Sequence, residues 1–146
     1  RVSEEPIVEP KIQFDGQQFD LITPDERVVK AHRKRQTVVD WYTKQAKQEL
    51  PKRAKRFLQK LGAEDTTIEV GELNRRWGEY IDNCVRLHWR LILAPKKIQD
   101  YVVAHELAHT RHDRHSDAFW NTVGTLVPDY RQRREWLRVN GATLTV

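Results

Sequence analysis

The chain has 146 residues, a mass of 17.4 kDa and a formal charge of +5, with 38% apolar and 32% charged residues. That length fits one domain, and five Trp, four Tyr and four Phe supply ring volume for a modest core, which excludes wholesale disorder. No run approaches the ~18 consecutive apolar residues of a membrane span, so no membrane partner is expected.

The start, Arg1-Val2-Ser3-Glu4-Glu5-Pro6, is acidic and lacks the apolar stretch of a secretory signal. The chain opens on Arg and contains no Met, as expected of a piece of a longer protein. Cys84 is the single cysteine, so no internal disulfide forms and a reducing, cytoplasmic setting is expected. Residues 1–10, with two Pro and three Glu, read as a tail. Residues 12–21 alternate apolar side chains on both sides of Asp15-Gly16, a hairpin signal.

The positive charge is local. Residues 1–26 carry two basic and seven acidic side chains, whereas residues 27–62 carry twelve basic and two acidic. In the basic segment Val38, Val39, Trp41, Tyr42, Ala46, Leu50, Ala54, Phe57, Leu58 and Leu61 recur at gaps of three and four, predicting a long amphipathic helix. Pro51 either kinks it or opens a second helix, and Gly62 stops it. Its outward face is solvated in the simplest reading and can otherwise meet nucleic acid or an anionic surface. Thr66–Val70 reads as a strand, and Val85–Leu93 as another with a bend. Pro95 suits the first turn of a helix to about Thr110. Ser116 caps a helix through Leu126, and Pro128 starts a last one ending before Gly141. The order predicts an α+β domain.

The stretch Tyr101-Val102-Val103-Ala104-His105-Glu106-Leu107-Ala108-His109 contains His-Glu-x-x-His within an apolar helix. The pattern arises in about 2% of shuffled sequences of this composition, before a helix is required. A spacing of four sets both imidazoles on one face, one turn apart, where neutral rings can grip a Zn²⁺ ion. Glu106, beside the first His, can take a proton from a water and return it to a leaving group. Zinc needs a third protein ligand and one open position. His112, Asp113 and His115 lie downstream. His115 is favoured because it precedes the Ser116 cap and a chain reversal after Thr110 can bring it back; His112 is the alternative. Tyr101, Tyr130, Trp77, Trp89, Trp120 and Trp136 read as core, His88 as structural, and Glu79 as not required for the metal.

Asn74–Gly78, Val85–Pro95, Tyr101–His109, His115-Ser116 with Phe119-Trp120, and Pro128-Asp129-Tyr130 together resemble the YgjP-like metallopeptidases, relatives of SprT-like and WLM-type zincins. The blocks keep their order over about residues 12–140. The resemblance implies a zincin-like α+β fold with a small sheet, an active-site helix, and zinc on His105, His109 and His115. It implies that residues 1–26 are the tail and hairpin remnant of an N-terminal β-rich part, with the zincin-like domain at 27–146. It points to a zinc peptidase acting on peptides or proteins, with Glu106 as base. Two departures from the family pattern stand out: Glu79-Tyr80 stand where Ser-Cys is usual, and His88 where Asn is usual. Two rival readings accompany it. One is a metal-dependent UTP pyrophosphatase, an activity assigned to a family member. The other is a nucleic-acid-associated module with structural zinc, closed by His112 or Asp113.

Overall fold

The computed structural model describes residues 5–6 and 26–146. The hairpin expected at Asp15-Gly16, and the tail apart from Glu5–Pro6, lie outside the described residues.

Helix α1 (Glu26–Leu61) runs through Pro51 as one helix. Its burial begins late: Ala46, Leu50, Ala54, Phe57 and Leu61 form the buried stripe, while Val38 and Trp41, expected on that stripe, are 43% and 57% exposed. Gly62 ends the helix at φ +63°, where a side chain would be strained. There the Ala63 N–H donates to Leu58 O at 2.9 Å and the Gly62 N–H to Gln59 O at 3.2 Å, satisfying two terminal carbonyls.

The sheet has four strands in the order β1-β3-β4-β2. Strand β2 (Thr67–Gly71) lies parallel to β4 (Cys84–His88), with Thr67 opposite Cys84 and Gly71 opposite His88. Strand β3 (Arg76–Ile81) is antiparallel to β4, with Gly78 opposite Leu87. The two-residue turn between them places Asp82 and Asn83 at φ 49° and 58°, the mirror-image turn that suits strand twist. The outer edge of β3 meets β1 (Glu5–Pro6), with Glu5 opposite Gly78. The predicted strand 85–93 is cut short. His88 Nδ1 accepts the Arg90 N–H at 3.0 Å, and Trp89–Leu93 coil into a 3₁₀ turn.

Helix α2 (Lys96–Ala108) is buried from Ile98 to Ala108 and packs on β3, β4 and α1. Asp100, nearly buried, ties α2 to α1: Arg53 Nε donates to its Oδ1 at 2.8 Å, and Arg53 and Arg56 Nη2 each donate to Oδ2 at 3.0 Å. Part of the basic character of α1 therefore serves this clamp. Helix α3 (Asp117–Leu126) starts where Ser116 Oγ accepts the Phe119 N–H, and α4 (Tyr130–Asn140) follows and packs on α2. Among the described residues no helix is long and apolar enough to cross a membrane.

Candidate metal centre

His105 sits in the last turns of α2, and His109 is the residue that ends it. The next residues reverse the chain. Thr110, Arg111 and His112 donate their N–H groups back to Leu107 and Ala108, and Thr110 Oγ1 donates to Leu107 O at 2.7 Å. The loop then returns, and His115 arrives beside the first two rings immediately before α3. The three histidines each offer a ring nitrogen within 4.8 Å of the others. Among the described residues this is the group of His, Cys, Asp and Glu that converges on a point; neither His112 nor Asp113 joins it.

The surroundings keep the His105 ring in its metal-binding form. Burial holds the His105 imidazole well below its usual pKa of 6.5, and the neighbouring His109 and His115 and the Arg134 charge push it the same way. His109 Nδ1 lies 2.9 Å from the His112 carbonyl oxygen. A carbonyl only accepts, so Nδ1 carries the proton and the lone pair sits on Nε2, the tautomer of a ligating histidine held by an outer partner. The His112 ring turns away, Nε2 standing 3.0 Å from Thr122 Oγ1 on α3, which pins the loop whose carbonyl holds His109. Phe119, fully buried, backs all three rings at centroid distances of 5.1 Å from His105, 4.6 Å from His109 and 4.9 Å from His115. Three convergent imidazoles with this backing fit a borderline-soft divalent cation.

Glu106 is fully buried next to this group. Strand β3 makes room for it: a Cβ at Gly78 would lie 2.7 Å from Glu106 Cγ and 2.9 Å from Oε2. The backbone of β3 thus lies directly against the carboxylate. Tyr80, two residues along, stacks over His109 with centroids 6.4 Å apart. Burial, then the charges of Asp113 and Asp65, raises its pKa above the usual 10.0, so its phenol stays a proton donor.

Sequence reasoning did not assign Gly78, Tyr80 and Phe119 to the centre. The available signals were the Gly directly following Trp77 and the Phe three residues after a helix cap. Of the other candidates, His88 and Glu79 lie elsewhere. His88 is buried, its Nε2 2.8 Å from Glu72 Oε2 while Nδ1 caps the 3₁₀ turn. Glu79 is engaged by Arg86 and Arg76. Tyr101 is core, although its ring lies 6.0 Å from His105. Trp120 faces His105 at 5.6 Å, stacks on Tyr130 at 5.3 Å, and carries the Arg134 guanidinium at 4.7 Å.

The family model described as YgjP-like, metallopeptidase domain, matches residues 3–140. No curated protein matches the chain.

Proposed function

Because the chain belongs to the YgjP-like metallopeptidase family, we propose that it is a zinc-dependent peptidase with a zincin-like catalytic unit over residues 27–146. The observation that carries this reading is the convergence of three imidazole nitrogens within 4.8 Å, with buried Glu106 beside them on α2. His105, His109 and His115 would hold the ion, leaving one position open. Zinc there supplies a Lewis acid for the scissile carbonyl and lowers the pKa of an attacking water.

The remaining work belongs to the chain. Glu106, on α2 and pressed against β3, accepts the proton of the water on a carboxylate oxygen and delivers it to the leaving amide nitrogen. The His112 carbonyl keeps the His109 ring oriented throughout. Phe119 excludes water from behind the rings. Glu5–Pro6 pairs antiparallel with β3, Glu5 opposite Gly78, so an extended peptide docks along β3 by strand addition in place of this short segment. Strand β4, within the segment 85–93, lies between β3 and β2 and offers no edge of its own.

The test measures metal and turnover together. Purified chain is expected to hold one zinc, lost in His105→Ala, His109→Ala and His115→Ala. Zinc-loaded chain is then incubated with unfolded protein, mixed peptides and UTP, with Glu106→Gln as control. Peptide cleavage that needs Glu106 supports the proposal. Pyrophosphate release from UTP that needs Glu106, without peptide cleavage, would replace it with the nucleotide hydrolase.

A further inference from the structure

Helix α1 has two opposite faces. The inner one buries Ala46, Leu50, Ala54, Phe57 and Leu61. Steps of three and four residues along the outer one lead through Lys30, Lys34, Trp41, Lys44, Lys52 and Lys55, all exposed. Thr37 and Gln48 fill the two gaps, so from Lys30 to Lys55 the row holds no carboxylate; Glu26 stands one turn before it, at the helix start. At 1.5 Å per residue it is about 38 Å long. Lys52 has Glu49 beside it at 3.9 Å; among the described residues the other four lysines have no ion pair.

Such a row is unfavourable for the isolated chain. Lys30 and Lys34, one turn apart, repel each other. Trp41 leaves 57% of its surface in water although the fold has an apolar interior available. A partner that relieves both has to be a polyanion with flat aromatic faces. A membrane surface wants a broad apolar face, and here one indole, with Val38 beside it, stands among lysines. A second copy would set lysine rows against each other. Base-paired duplex hides its ring faces, leaving Trp41 nothing to stack on.

We infer that the outer face of α1 binds single-stranded nucleic acid, with the lysines on phosphates and Trp41 stacked on a base. The inference stands apart from the peptidase reading, since the face lies opposite the packed side of α1 and needs no metal.

The experiment titrates metal-free full chain into a fluorescein-labelled oligodeoxythymidylate of about twenty nucleotides, a site-size appropriate to such grooves. Wild type is expected to bind with affinity falling as salt rises. The variant Lys30→Glu/Lys34→Glu/Lys44→Glu should bind about 100-fold more weakly near 0.1 M salt, with a salt slope shallower by about 2. Lys47→Glu/Lys60→Glu/Lys97→Glu makes the same charge change off the row and should lose far less. Trp41→Ala should weaken binding about tenfold and Trp41→Phe should restore most of it. Equal losses in the two triple variants would overturn the inference, as would no binding by wild type. Duplex of the same length, anionic phosphatidylserine vesicles or polyglutamate binding more tightly than the oligonucleotide would also overturn it.

Discussion

Replacing Gly78 by Ala tests how closely the sheet presses on the proposed general base. The new Cβ would sit 2.7 Å from Glu106 Cγ, 2.9 Å from Oε2 and 3.0 Å from Cδ. Carbon atoms prefer separations of about 3.5–4.0 Å, so roughly 1 Å of overlap has to be relieved. Strand β3 is held by β4 on one side and β1 on the other, and Glu106 is fully buried on a packed helix. The carboxylate is the part that yields. Overpacking of this kind costs about 1–3 kcal/mol, a fall in melting temperature of roughly 3–10 °C for a domain of this size. A displacement near 1 Å at a catalytic group can cost about 100-fold in turnover. The three histidine rings are not in the path of the Cβ, so metal content should be unchanged. Gly71→Ala is the control, since a Cβ there meets nothing within 4 Å. Calorimetry, metal analysis and the rate of peptide cleavage, run on both variants, separate the effects. If Gly78→Ala melts and turns over like wild type, β3 does not position Glu106, and the reasoning fails.

Four further outcomes are expected. Glu106→Gln should retain zinc and lose hydrolysis by several orders of magnitude, because an amide of the same shape cannot accept the proton; near-native turnover would remove Glu106 from the mechanism. His115→Ala should lose zinc, whereas His112→Ala, which leaves the carbonyl facing His109 in place, should keep most of it; the reverse pattern in metal analysis would exchange their roles. His105, kept neutral by burial, has a folded-state pKa well below 6.5, so below about pH 6.5 the unfolded chain takes up a proton that the folded chain refuses. Metal-free chain should therefore lose stability as pH falls from 7 toward 5, seen as a falling urea midpoint, with a weaker trend in His105→Gln; a flat profile would contradict it. Asp100→Ala strips the carboxylate from Arg53 and Arg56 and should lower stability by about 1–3 kcal/mol in urea unfolding, with Asp100→Glu recovering part of it.

Short-range rules made much of this molecule readable without coordinates. The four-residue step from His105 to His109 puts two imidazoles on one face whatever the helix packs against. The positive φ of Gly62 and the hydroxyl of Ser116 act on backbone groups within a few residues, so the end of α1 and the start of α3 follow from local chemistry. His115 was a candidate for the same reason, standing next to that cap. What lay beyond reach depends on residues distant in the chain. Strand β3 lacks a clear alternation, and its identity comes from β4 and from Glu106, twenty-eight positions past Gly78. Which of His112 and His115 lies beside the other two rings is set by a loop whose path is held by the His112 ring on Thr122. The apolar period of α1 continues through Val38 and Trp41, yet burial starts only at Ala46, because a helix stripe is buried only as far as the rest of the fold extends to cover it. Helix period and caps are encoded in neighbouring residues. Which face is covered, and which backbone lies against a carboxylate, depends on contacts between segments far apart in sequence, and those are defined only once the chain has closed on itself.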